Sequence, residues 1–217
     1  MYSRVTQLNN IDAINLSCNY LSIDRLDGNE GTMEKDTTTR LLDAAEYRMR
    51  RGGYNSVSFR DLASDTEIKS SSVHYHYPKK EDLGVALIDR YAERFFDALM
   101  VASSKAKTPK EKLYAFRKVY RGALYEDKAV CLCGLLGAEM AGLPSTLAEG
   151  VQSFFKANIK WVSDALPDDL SKADRYKRAS TLVAAHQGAM MMANNSDDNK
   201  LFDTVTEFLI SNTLGED

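Results

Sequence analysis

From Thr37 onward, apolar positions return every three to four residues, the spacing of helices that bury one face. Leu41, Ala44, Ala45 and Met49 share a face over about residues 37–51, and Gly52-Gly53 ends that stretch. Ser58 opens a second run with Asp61 three residues on, a capping-box spacing, and Phe59, Leu62, Ala63 and Thr66 fall on one side. Residues 70–77 form a third, short helix pegged by Val73 and stopped at Pro78. Leu83, Leu87, Tyr91 and Phe95 then mark a long helix over about 80–104. The pattern predicts further helices over 109–125, 130–143, 144–166, 172–195 and 200–213. No stretch alternates with period two and no fixed repeat is present, so the expected fold class is all-α.

The second and third helices are short, joined by a tight turn, and unlike the rest in composition. Residues 70–77 are rich in hydroxyls, imidazoles and phenols and nearly free of charge, and Lys79 and Lys80 follow at once. This is the layout of a helix-turn-helix whose second helix enters the DNA major groove. The stretch RLLDAAEYRMRRGGY, then VSFRDLA, then VHYHYPKKEDL, spans residues 40–83 and resembles the DNA-binding domain of the TetR family of bacterial transcriptional regulators. Two positions depart from that pattern. Glu67 stands where the turn glycine is usual, and His74 where a tyrosine is usual. If Glu67 takes positive φ, strain of about 1 kcal/mol is expected.

Charge sharpens this reading. The whole chain carries a net charge of −3, yet between Arg48 and Lys80 seven basic residues face three acidic ones, a local excess of +4. A positive patch on an acidic protein suits a specific regulator that must leave DNA readily. Phosphate contacts are expected from Ser58, His74 and Lys80. Base-edge contacts are expected from Lys69, Ser70, Ser71 and Tyr75, with Arg60 matched to guanine by its guanidinium fork. Ser72 is a further contact or an exposed helix residue, His76 a buried structural imidazole, and Tyr77 a ring under the recognition helix.

The rest of the chain divides by composition. Residues 1–32 carry short apolar scraps and end in a Gly/Asn/Asp cluster; they read as a disordered extension or a misassigned start, with Met33 a natural opening. The helix-turn-helix domain is expected over 33–80 and a helical ligand-binding and dimerisation domain over 81–217. The resemblance implies a ligand cavity in the latter, a small-molecule inducer, and a homodimer through the last two helices. The pairing faces expected there are Leu182, Ala185, Ala189 and Met192, then Phe202, Val205, Phe208 and Leu209. Cavity candidates are Tyr120, Met140, Phe154, Trp161, His186, Gln187 and Met190, each readable also as plain core; His186, beside Gln187 on an Ala-rich helix, would need a polar partner.

Three cysteines, no secretory signal and no apolar run of about 18 residues point to a reducing cytoplasm and away from a membrane. Cys131 and Cys133 are small buried hydrophobes or thiols that sense oxidants or electrophiles, with Lys128 near enough to lower a thiol pKa. The expected function is a ligand-released transcriptional repressor on a palindromic operator in double-stranded DNA, with a redox- or electrophile-sensing regulator as the alternative. No Gly-rich phosphate loop, metal-ligand cluster or Ser-His-Asp set is visible, so neither an enzyme nor a cofactor is expected.

Overall fold

The computed structural model describes residues 36–215, which form nine α-helices and two 3-10 turns with no strand among them. The expectations for residues 1–32 lie outside the described residues. In α1 (Thr37–Gly52), Leu41, Leu42, Ala45 and Met49 are buried. Gly53 ends it at φ 75°, and its N–H donates to the Met49 carbonyl at 2.9 Å. A 3-10 turn (Tyr54–Ser56) leads to α2 (Phe59–Asp65), whose first turn is capped by the Ser58 hydroxyl accepting from the Asp61 N–H at 3.1 Å. After a turn through Glu67 comes α3 (Ser70–His76), pegged to the head by the fully buried Val73. Tyr54, Val57, Leu62 and Tyr77 complete this small core.

The long α4 (Lys80–Ser103) starts where Asp82 accepts the Lys79 N–H at 2.9 Å, and it runs from the head into the larger body. A Cβ at Gly84 would sit 2.7 Å from the Leu147 side chain, so glycine lets α4 and α7 cross closely. The body consists of α5 (Pro109–Tyr125), α6 (Leu132–Ala138), a 3-10 turn (Met140–Gly142), α7 (Ser145–Ala165), α8 (Lys172–Ser196) and α9 (Asn199–Leu214). Thr108 and Glu111 cap α5 reciprocally, at 3.2 and 3.0 Å. Tyr91, Phe95, Phe116, Tyr120, Phe154 and Phe202 form a buried aromatic spine. No helix of the described residues is long and apolar enough to cross a membrane.

One element differs from the expectation. The stretch 130–143 is not a single helix but α6 followed, after Glu139, by the 3-10 turn. The cause is tertiary: the Glu139 carboxylate accepts the Tyr54 N–H of the head at 2.8 Å, and the backbone at Glu139 leaves the helical region to reach it.

Candidate DNA interface and regulatory core

The recognition face is built by packing α3 on α2. With Val73 buried beneath it, α3 turns Ser70, Ser71, His74 and Tyr75 outward, preceded by exposed Lys69; Tyr75 is 84% exposed. Ser72 is half-buried. The His74 ring meets Phe59 edge-on at 4.8 Å, which brings the start of α2, with exposed Arg60, alongside the middle of α3. Tyr77 is buried under α3, and His76 is half-buried with Nδ1 3.3 Å from the Thr38 hydroxyl. Glu67 adopts φ 55°, the left-handed conformation expected of the glycine it replaces.

The local charge excess is spent differently from the sequence expectation. Arg48 forks onto Asp65 at 2.5 and 2.9 Å, and that hydrogen-bonded pair holds the Asp65 carboxyl below its ordinary pKa. Arg50 is buried and faces the body. Lys80 is half-buried with Nζ 4.2 Å from the centre of the Tyr54 ring, and burial lowers its pKa. Arg51, Arg60, Lys69 and Lys79 remain solvent-exposed. The patch therefore holds fewer free cations than the tally of residues gives, because an unpaired guanidinium in a packed interface would be costly.

Beside the ion pairs between α1 and α4, two contacts with residues 127–139 fasten the head to the body. Arg50 donates from Nε to the Val130 carbonyl at 2.9 Å and from Nη2 to the Ala129 carbonyl at 3.2 Å, while Nη1 meets Asp127 at 3.0 Å. Lys128, at φ 49°, sets the turn that exposes those carbonyls. Beside it, Glu46 is buried among Arg50, Arg90 and Arg94, with Arg94 at 2.9 Å from both carboxylate oxygens. Glu139 is the second contact. A Cβ at Gly53 would overlap its carboxylate, so the glycine serves both the turn and the docking.

The expected cavity residues largely converge. Tyr120, Phe154, His186 and Met190 are buried in the aromatic spine. Gln187 donates to the Tyr120 hydroxyl at 2.9 Å, and that hydroxyl donates to Asn158 Oδ1 at 3.1 Å. Asn158, fully buried, is the polar member that sequence reasoning missed; its position among Phe154, Phe155 and Ile159 on one helix was the available signal. Trp161 stacks on Phe116 at 5.8 Å from a half-buried position. Met140 stands apart, in the 3-10 turn beside Glu139.

Cys131 and Cys133 are free thiols buried at the start of α6. The Cys131 N–H points at Met190 Sδ, 3.0 Å away. Burial, then Cys131 and Glu46, push the Cys133 thiol well above its ordinary pKa, the reverse of activation by Lys128, which is exposed.

Of the expected pairing residues, Met192 and Phe208 are exposed, Ala185, Val205 and Leu209 are half-buried, and Leu182, Ala189 and Phe202 are core. Tyr176 and Met191 of α8, which were not among them, are also exposed large apolar side chains. Helix spacing explains the split: α8 touches α7, α5 and α9, which uses the Leu182–Ala189 side inward.

A short exposed helix braced by a second, carried on a body that is helical throughout the described residues, defines a helix-turn-helix DNA-binding architecture. Residues 41–87 match the family model for bacterial regulatory proteins of the tetR family. Over 107 residues the chain is 28% identical to the transcriptional regulator AcuR of Cereibacter sphaeroides, covering 48% of this chain and 49% of AcuR, so it spans about half the length of that relative. It is 21% identical over 172 residues to the HTH-type transcriptional repressor NemR of Escherichia coli strain K12, covering 75% of this chain and 86% of NemR. A solved TetR transcriptional regulator from Legionella pneumophila superposes with a TM-score of 0.77 at 27% identity, over 82% of this chain and 97% of that one. Residues 41–87 thus carry a tetR-type DNA-binding domain, and the described chain as a whole shares the fold of solved TetR regulators.

Proposed function

We propose that the chain is a cytoplasmic homodimeric repressor that binds a palindromic operator and is released by a small-molecule inducer. The observation that carries this reading is the outward polar face of α3, Lys69 to Tyr75, braced on α2 by Val73. Arg60, Lys69, Ser70, Ser71 and Tyr75 read base edges, with Ser72 at the margin; Ser58, His74 and Lys80 hold phosphates. To do so, Lys80 swings off the Tyr54 ring. One short helix reads few base pairs, so two heads related by a two-fold supply the rest. The exposed Tyr176, Met191, Met192 and Phe208 supply the apolar surface for pairing through α8 and α9. The domains divide at about residue 80, with 81–217 holding inducer and partner.

The inducer enters the region of Tyr120, Phe154, Trp161, His186, Gln187 and Met190, and shifts the body relative to α4. By linkage it binds the DNA-free form more tightly than the operator-bound form. Buried thiols with a raised pKa at Cys133 favour this reading over oxidant sensing. The deciding experiment is a mobility shift of the full chain on DNA from upstream of its own gene, against random DNA, at two salt concentrations. Competitor-resistant binding as a dimer supports the proposal; weak binding to both DNAs that modest salt abolishes overturns it.

A further inference from the structure

Among the described residues, His186 Nε2 is a buried polar atom without a partner that is ringed by aromatic side chains. His186 has no exposed surface, and its Nδ1 lies 2.8 Å from the Leu182 carbonyl. A carbonyl only accepts, so Nδ1 carries the proton and Nε2 presents a bare lone pair. No donor among the described residues reaches Nε2. The neighbouring polar groups bond to one another and none reaches Nε2. Gln187 donates to Tyr120, Tyr120 to Asn158, and Asn158 Nδ2 to the Phe154 carbonyl at 2.9 Å. Burial, against the Leu182 hydrogen bond and with help from Arg117, brings the His186 pKa down to about 4, so the lone pair stands open at neutral pH. An unmet acceptor in a native core calls for an explanation.

The surroundings state what could meet it. Rings of Phe116, Tyr120 and Phe202 lie 5.3, 5.6 and 5.8 Å from the imidazole. Phe116 stacks in turn on Trp161, which lines a surface cavity of about 250 Å³ with Ser103, Lys112, Asp164 and Ala165. A chain of ring contacts, imidazole to Phe116 to Trp161, therefore leads from His186 to the surface. A guest must replace ring-on-ring contact with a flat apolar body and must offer one donor. It must also be uncharged: a neutral imidazole cannot compensate an anion, and a cation would be desolvated near the Arg117 guanidinium.

We propose that His186 Nε2 is the recognition point for a small uncharged aromatic ligand bearing one hydrogen-bond donor, a phenolic hydroxyl or a ring N–H. This rests on the inducer reading above and gives the inducer its chemical class. Trp161 and Phe116 form the gate, and Nε2 accepts the ligand's proton in a hydrogen bond without transferring it.

The test is thermal unfolding of the full chain with phenol and indole, each paired with its donor-free counterpart, toluene and indene, at matched free concentration. The wild type and the variants His186→Gln and His186→Phe are compared. Phenol and indole are expected to raise Tm by about 3–6 °C near tenfold excess over Kd, and toluene and indene by far less. His186→Gln, which keeps an acceptor, retains the donor preference; His186→Phe loses it. Equal shifts from donor and donor-free probes, or a preference that survives His186→Phe, overturn the proposal. So does the absence of any shift from phenol and indole in the wild type. The regulator reading is judged separately by the operator mobility shift: it stands if the operator is bound and these probes fail.

Discussion

Arg50 Nε in the head donates to the Val130 carbonyl at 2.9 Å, one residue before Cys131. A side chain from the DNA-binding end is thus bonded to the chain that enters α6 under the regulatory core. Replacing Arg50 with Ala would leave two carbonyls and Asp127 without this donor, while Glu46 keeps Arg90 and Arg94. We expect a loss of about 3 kcal/mol in urea unfolding, the scale of a broken buried ion pair. Arg50→Lys recovers only part of it, because an ammonium cannot serve these acceptors in one plane.

Glu67→Gly should stabilise the protein. The position has φ 55°, and its backbone N–H donates to the Ser64 carbonyl at 3.3 Å whatever the side chain is. Removing the Cβ relieves about 1 kcal/mol of strain, offset in part by the freer unfolded chain. Chemical denaturation should therefore show a net gain of about 0.5 kcal/mol.

His186 ties stability to pH. Its folded pKa of about 4 lies below the ordinary value of 6.5, so the unfolded chain binds the extra proton between those two points. Stability from this residue is complete above about pH 6.5 and is lost as pH falls toward about 4, by about 3 kcal/mol at most. Urea unfolding of wild type and His186→Phe at a series of pH values measures it: the difference between the two should shift in the variant's favour as pH falls.

Arg60→Ala and Lys80→Ala should separate two kinds of DNA contact. The first should cost about 1–3 kcal/mol on the operator and relax one base position. The second should weaken all sequences alike and lower the salt slope by about one. Binding to an operator library at several salt concentrations distinguishes the two patterns.

Phe208→Asp should split the dimer. Phe208 is 68% exposed on α9, and on the proposed pairing face each partner would bury one carboxylate. Self-association should weaken by at least about tenfold, the loss of one aromatic anchor. Sedimentation velocity across a concentration series reads this directly, with circular dichroism unchanged because the residue lies outside the core.

Much of the helical order was legible in the sequence, because caps and periodicity are local. Thr108, Pro109 and Glu111 announce α5, and Gly53 announces the end of α1. The break at Glu139 was not legible, because its cause is a carboxylate finding a backbone N–H 85 residues away. Arg50 was misread for the same reason. Counted as a DNA-facing cation, it is buried by partners distant in sequence. A signal was present: Asp43, Glu46 and Arg50 recur at helical spacing beside the apolar stripe of α1, and Arg90 and Arg94 repeat at i,i+4 on α4. In the core, Tyr120 and His186 were legible as polar residues among apolar ones, but the closed Gln187–Tyr120–Asn158 chain depends on how three helices pack.

The fastening of the head by Arg50 and Glu139 has a consequence for how such a protein can diversify. Positions 60 and 69–75 face solvent, so new operators can be learned there without disturbing the fold. Positions 50 and 53 are matched to residues 127–139 of the same chain and can change only together with them. A head transplanted from a relative would keep its reading of DNA but lose its seat unless it brought an arginine and a glycine at those two places. The small domain thus has one face open to inheritance of new targets and another bound to its own body by joint descent.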